Sequence, residues 1–410
     1  MKKPIKFGVF GLVRGSTYYQ SILANNGTVV AVCDKKESHL EKAKTELGKS
    51  VATYTDFDEF INHPGLDAVF LCNYFDQHVP FAIRALEKNL HVLSECTAAA
   101  TMADAVKLVR AVEKSRGIYM LAENYPFMLF NQEMKKVFDD GSLGPCLFAE
   151  GEYNHPFPVS SARGLRPHER HWRNYLPRTY YITHSLGPLM YITGAMPKRV
   201  TAMPAFAPDY PDGAAGLAVG DRAAIITCLN DDNSVFRVTG CAAFGDHESS
   251  YRICGTNGQI ENLRDGSNRI SLRYNTWQIP EGRNSNQCYE VVCDDPAKDI
   301  IEKQGHGGAD FYVIREFVRC INENDTPFFD VYRATNMSSV AILAHRSILE
   351  GNVPYDIPDF SKEEDRKKWE NDTLTPFYGQ DGSAPTLSCC SHPDYVPNPE
   401  DVEAYRKSLE

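Results

Sequence analysis

The feature that most constrains this chain is an alternation that runs from its start to Ala122. Short, almost wholly apolar runs recur at 5–10, 29–33, 68–72, 91–94 and 119–122. The segments between them carry apolar residues at helical spacing, such as Leu40, Ala43 and Leu47. A strand without polar alternation is buried on both faces, as in a parallel sheet covered by helices. Repeated strand–helix units with helices at about 17–26, 37–48, 78–88 and 101–116 predict a doubly wound, mostly parallel α/β sheet.

The first strand runs into Gly8-Val-Phe-Gly11-Leu-Val-Arg-Gly15. Glycines between a strand and a helix let backbone N–H groups approach a pyrophosphate. The fingerprint is degenerate, because Val13 stands where a second glycine is usual. Asp34 closes the next apolar run, 23 residues after Gly11. A carboxylate there binds both ribose hydroxyls and repels a 2′-phosphate, which favours NAD over NADP. Gly11, Val13, Arg14, Gly15 and Asp34 are therefore the expected cofactor residues. The competing reading of Asp34 is a turn or helix cap.

After residue 122 the pattern changes. Strand-like runs at 146–155, 222–230, 234–243, 249–254 and 269–275 suggest a mostly antiparallel sheet, with Asp231-Asp-Asn233 as a turn. Residues 203–220, rich in Pro, Gly and Ala, suggest a long loop. Helices fit 130–139, 309–323 and 333–350. We expect a dinucleotide domain at 1–124, a substrate domain at 125–360 and a tail at 361–410.

Composition narrows the function. With 43 basic and 54 acidic side chains, a net charge of −11 suits no sequence-independent hold on nucleic acid. No apolar run approaches the ~20 residues of a membrane span. Twelve cysteines without framework spacing suggest free thiols, and no cleavable leader is evident, so a cytoplasmic protein is expected. No metal is expected.

The ordered set Gly8-Val-Phe-Gly11, Asp34, Leu66 to Asn73, His78, His91-Val-Leu-Ser-Glu95 and Asp140-Gly-Ser-Leu-Gly144 resembles the Gfo/Idh/MocA oxidoreductases over roughly residues 3–360. The resemblance implies a Rossmann domain plus an open-faced α/β domain, a homo-oligomer, and Asn73, His78, Glu95 and Asn124 near NAD. Most of that family carries Glu-Lys-Pro after the fourth strand, where the lysine is an acid/base. This chain has Glu95-Cys96-Thr97. The middle of the chain resembles a subset that has lost the lysine, the NAD-dependent glycosidases of glycoside hydrolase family 109. The shared pieces are Glu123-Asn124, Tyr153-Asn-His155, His171-Trp-Arg173, Tyr181-Ile-Thr-His184-Ser-Leu-Gly-Pro188 and His306-Gly-Gly-Ala-Asp310. That resemblance implies a carbohydrate substrate met by Glu123, Tyr153, His155, Tyr181, His184 and His306.

The residues also argue for themselves. Tyr153 and His155 share a face if they lie on a strand. Tyr181 and His184 share one if they lie on a helical turn. Two converging Tyr/His pairs offer several proton carriers, with imidazoles that titrate near neutrality. Trp172 and Arg173 can stack on and pair with cofactor or sugar. Arg163, with Arg166, His168 and Arg170, makes a basic segment suited to an anionic sugar. A metal on Glu152, His155, His184 and His306 is the rival reading. The expected activity is glycoside hydrolysis with transient oxidation at sugar C3. The alternatives are a sugar or cyclitol dehydrogenase and a non-catalytic NAD sensor.

Overall fold

The computed structural model describes residues 3–156, 165–208, 220–241, 243 and 245–409. They divide into two compact units. One comprises Met1–Leu129, Val292–Thr335 and Asp359–Asn371, and the other Phe130–Val291, Asn336–Pro358 and Asp372–Glu410. The chain thus returns twice to its first unit, whereas the sequence suggests three consecutive blocks.

In the first unit, β1 (Ile5–Phe10), β2 (Gly27–Cys33), β3 (Ala52–Tyr54), β4 (Ala68–Leu71), β5 (His91–Ser94) and β6 (Tyr119–Leu121) pair in parallel. Their order is β3-β2-β1-β4-β5-β6, the doubly wound arrangement that the apolar runs predict. The order reverses between β1 and β4, and ligands of open α/β sheets bind outside the carboxyl ends at such a switch point. Gly11 and Asn73 lie just past those two ends. Phe7, Val9, Val32 and Phe70 share a core with Val313, Ile314 and Phe317 of the helix Ala309–Glu323. That apolar stripe is why 292–335 joins the first unit. The first helix begins earlier than expected: Leu12–Gly15 is helical, followed by a 3-10 turn Ser16–Tyr18 and a helix Tyr19–Ala24.

In the second unit the strands are β7 (Cys146–Asn154), β8 (Pro197–Ala205), β9 (Ala223–Asn230), β10 (Val235–Thr239), β11 (Glu248–Gly255), β12 (Gly258–Asn262), β13 (Arg269–Tyr274), β14 (Asn286–Glu290) and β15 (Tyr355–Asp356). They form one sheet, ordered β14-β13-β12-β11-β7-β10-β9-β8-β15. Only the β7–β10 pair is parallel. The sequence reading omits β8, and Met203–Ala205, assigned there to a loop, finish that strand. Pro197 and Pro204 disguise it, since proline cannot donate to a ladder. Residues 209–219 of that expected loop lie outside the described residues. Residues 361–410 carry two helices, Glu363–Trp369 and Pro399–Leu409.

Candidate active site

The first unit holds a dinucleotide cradle. Gly11 has φ 88° and ψ 90°, and a Cβ there would stand 2.6 Å from the Asn73 nitrogen. At Gly15 a Cβ would stand 2.5 Å from Val9 Cγ1, so helix and strand meet too closely for a side chain. Asp34 accepts the Leu12 N–H at 2.8 Å and the Lys36 N–H at 2.9 Å. It thus acts as the cap of the competing reading while standing at the end of β2. His39 Nδ1 lies 3.1 Å away. An ionised carboxylate offers about four acceptor sites, so capacity remains for a ribose hydroxyl. Bare backbone at Gly11 and this carboxylate fit NAD. Val13 is 75% exposed, so the missing second glycine leaves a side chain in solvent.

Arg14 is differently placed from a simple phosphate ligand. Its Nε donates to Glu95 at 2.8 Å, its Nη atoms to Asp310 at 2.9 and 3.0 Å, and the remaining N–H groups to Thr17 and Tyr18. All five donors of the guanidinium are committed. Tyr18 also donates to Glu95, at 2.9 Å. Asn124 Nδ2 and His306 Nδ1 complete the knot on Asp310 at 2.8 and 3.1 Å. The Asp310 side chain is wholly buried. Burial works to raise its carboxyl, but hydrogen bonds from His306 and Arg14 and the Arg14 charge outweigh it. They hold it well below the usual carboxylate range. Glu123, also buried, accepts the Cys96 thiol at 3.1 Å and the Tyr125 N–H at 3.2 Å. Buried His78 sits between the carbonyls of Thr97 and Asn73, each 3.1 Å away. Burial holds its ring below the ordinary value, so the neutral form has one N–H for two acceptors.

The second unit gathers the rings. On β7, Ala149, Gly151 and Tyr153 are buried and alternate with half-buried Glu150 and Glu152. The helix Thr183–Thr193 lies so close that a Cβ at Gly151 would be 2.1 Å from the Ser185 carbonyl. That contact sets His184 beside Tyr153, with ring centroids 4.9 Å apart and nearly perpendicular. A 3-10 turn, Arg178–Tyr181, precedes the helix and lays Tyr181 5.9 Å from Tyr153 and 5.3 Å from His184. Gly240, with no room for a Cβ against the Arg178 carbonyl, fixes that turn in the same way. His155 stacks on Tyr153 at 5.6 Å, and its Nδ1 is 2.8 Å from Nδ1 of His247. One of these two nitrogens donates and the other accepts. The Arg173 guanidinium lies 4.2 Å over Trp172 and 5.9 Å from Tyr181. His171 accepts the Arg173 N–H, and burial together with Arg173, His168 and Arg166 pushes its ring down to about 3.

Tyr153, His155, Tyr181 and His184 therefore come together, while Glu123 and His306 belong to the first unit. Glu152 faces away from Tyr153 and pairs with Arg264 at 3.0 Å, so it shares no ligand sphere with His155. Among the described residues no cluster of three or more His, Cys, Asp or Glu is placed to hold a metal. Arg163 lies outside the described residues.

Residues 5–123 match the model for the oxidoreductase family with an NAD-binding Rossmann fold, and residues 205–370 match that for the glycosyl hydrolase 109 C-terminal domain. The chain thus combines an NAD-binding Rossmann domain similar to those of the Gfo/Idh/MocA oxidoreductases with a domain similar to the glycosyl hydrolase 109 C-terminal domain. A glycosyl hydrolase family 109 protein of Saccharopolyspora erythraea is 26% identical, over 93% of this chain and 87% of that protein. An alpha-N-acetylgalactosaminidase of Bacteroides fragilis is 24% identical, over 85% and 90%. Levoglucosan dehydrogenase in complex with NADH and L-sorbose shares the fold, with a TM-score of 0.74 at 17% identity over 87% of this chain and all of that one.

Two relationships in the candidate site escape sequence reasoning: the role of Asp310, which the sequence shows only as the end of His306-Gly-Gly-Ala-Asp310, and the presence of His247. Asp310 binds residues almost three hundred positions away, and no local period marks such a partner. His247 directly precedes β11, whose Glu248 pairs with Asn154 of β7, so the strand register brings it to His155. Knowing that 146–155 and 249–254 are neighbours is the signal that would have found it.

Proposed function

We propose that this protein is an NAD-dependent glycoside hydrolase, with NAD held by the first unit and the sugar met by the ring cluster of the second. The observation that carries the reading is the convergence of Tyr153, His155, Tyr181 and His184 on one another. Gly11, Val13, Gly15 and Asp34 hold the cofactor. Arg14, Glu95, Asn73, His78 and Asn124 shape its surroundings. NAD bound there would supply reversible hydride transfer at sugar C3.

The protein's own work is to move protons. Tyr181 or His184 removes the C2 proton once C3 is a ketone. The C1–oxygen bond then breaks, and a proton is delivered to the leaving aglycone oxygen. Water adds at C1, and the C2 proton is returned. Tyr153 and His155, backed by His247, are the remaining proton carriers. Glu123, His306 and the Trp172–Arg173 pair are proposed sugar contacts. Cys96 stands where most Gfo/Idh/MocA oxidoreductases carry a lysine base, and its thiol is held on Glu123.

Twelve cysteines without framework spacing fit a reducing, cytoplasmic setting. Among the described residues no helix is long and apolar enough to cross a membrane. The sheet face bearing exposed Met203, Ile225 and Leu229 is the proposed contact between copies in a homo-oligomer.

The test mixes the protein with aryl glycosides, first the alpha-N-acetylgalactosaminide, then uronides chosen for Arg166, His168 and Arg170. Phenol release without net NADH is expected, with deuterium at C2 of the sugar in D₂O and a C3 label retained. Sustained absorbance at 340 nm instead makes it a dehydrogenase. Phenol release with no deuterium at C2 overturns the elimination route.

A further inference from the structure

Residues 167–181 carry Trp172, Arg173 and Tyr181, yet their regular structure amounts to two short 3-10 turns, Trp172–Asn174 and Arg178–Tyr181. Their backbone bonds are local, such as His171 N–H to His168 O and Asn174 N–H to His171 O. Isolated turns of this length have marginal stability in water. Something else must fix the segment, and the end of the chain does so at several points.

Tyr405, buried in the helix Pro399–Leu409, bridges two places with its hydroxyl. It donates to the Arg166 carbonyl at 2.9 Å and accepts from Asn174 Nδ2 at 3.2 Å. Arg406 adds an ion pair to Glu169 at 2.9 Å. The ring of Tyr378 lies edge-on to Tyr175 at 5.0 Å and under the Arg170 guanidinium at 5.2 Å. Phe377, almost wholly buried, packs edge-on to Tyr180 at 5.2 Å. The strap is itself pinned. His345 Nε2 donates to the Ser388 carbonyl at 2.7 Å, and buried Asp221 accepts both the N–H and the hydroxyl of Ser391. The Asp221 carbonyl in turn accepts from Arg178 Nε at 3.0 Å, which closes the circuit onto the turn that presents Tyr181.

We propose that Asp372–Lys407 is part of the substrate-binding apparatus: it fixes 167–181 so that Trp172, Arg173 and Tyr181 are already ordered when the sugar arrives. The inference rests on the glycosidase reading of the ring cluster. The family 109 match ends at residue 370, so this strap lies beyond the matched domain. Tyr405, Tyr378 and Phe377 are positioning residues that touch neither sugar nor cofactor. Their value is preorganisation, because a site ordered in advance spares the cost of ordering on binding.

The experiment compares the full-length wild type with Tyr405→Ala and Tyr378→Ala. It measures hydrogen–deuterium exchange across 165–181, KM and kcat on an aryl glycoside, and NAD affinity. We expect faster exchange there, KM raised roughly tenfold, kcat within about twofold and unchanged NAD binding. Tyr378→Phe, which keeps the ring, restores both exchange and KM. Tyr405→Phe removes only the bridge between Arg166 and Asn174, and it serves if Tyr405→Ala does not fold. Wild-type exchange and KM in the variants overturn the proposal. So does a fall in kcat and in thermal midpoint at constant KM, which makes the strap a stability element only. If the wild type releases phenol from no glycoside, the glycosidase reading falls by itself. Exchange then still decides the strap: acceleration supports it and no change removes it.

Discussion

The two halves of the candidate machinery are held by different physics. Around the cofactor cradle, position is set by polar bonds between buried groups. Arg14 spends every donor, and Asp310 gathers Arg14, Asn124 and His306 in one place. Around the ring cluster, position is set by closeness. Gly151 and Gly240 leave no room for a side chain, so helix and turn rest on the sheet, and rings fill what remains. The first device holds a geometry rigidly while its charges persist. The second leaves hydroxyl and imidazole groups in mutual reach, the condition that proton transfer needs.

The largest expected effect breaks the second region without touching the first. Tyr181→Phe and His184→Ala should each lower turnover by roughly 10²–10⁴, the scale for an acid/base group. Stopped assays of phenol release measure the loss, and a fluorescence titration should find NAD affinity unchanged. Equal loss of NAD binding would erase the division of labour drawn here.

The converse cut is Asp310→Asn. Removing one partner of a buried ion pair costs about 3–5 kcal/mol, seen as a drop in urea midpoint. The wild-type contribution has a definite pH sense. Asp310 is held below the ordinary carboxylate range, so its stabilisation is present above about pH 4. It is lost as pH falls through the lower folded value. Urea midpoints between pH 5 and pH 2 should fall more steeply for the wild type than for Asp310→Asn.

How much of this was legible follows from how local each cause is. Period two along β7 and a spacing of three across the start of the helix Thr183–Thr193 were enough to pair Tyr153 with His155 and Tyr181 with His184. Both spacings are properties of a single element. The apolar runs gave the parallel sheet for the same reason. Asp310 and His247 act through partners on other elements, and only register or tertiary packing supplies those. The β8 strand was hidden by its prolines, and the strap by its polar, Pro-rich composition, which reads as a tail packed over the surface or against a partner subunit but does not say which residues it holds.

A smaller effect sharpens the account of the cradle. Asp34→Ala removes the cap on the Leu12 and Lys36 N–H groups together with the ribose acceptor. NAD affinity should fall by about 1–3 kcal/mol, the scale of hydrogen bonds to a charged group. Calorimetric titration checks this, and the preference for NAD over NADP should shrink in the same variant. Tighter binding of NADP than NAD by the wild type would contradict the role given to Asp34.

The regions also differ in their response to acid. His171 is pushed down to about 3 and His345 to about 4, burial leading in both. An unfolded imidazole takes up its proton near pH 6.5, while these two stay neutral in the fold. The unfolded chain therefore binds more protons between that pH and the folded values. Each group contributes stability that is present above about pH 6.5 and is lost on acidification at up to about 1.4 kcal/mol per pH unit. His78 and His91 of the first unit are lowered by burial in the same sense, but His171 and His345 stay neutral down to about 3 and 4, so the second region should lose more before Asp310 is protonated in the first. Hydrogen exchange at pH 7, 5.5 and 4.5 reads the order directly: residues 165–181 should lose protection first, and β1 and β4 last. His171→Gln removes one of these two titrating groups and should flatten the loss without changing its slope below about pH 3. Simultaneous loss of protection in both units would mean that their stabilities are not separately governed by these groups.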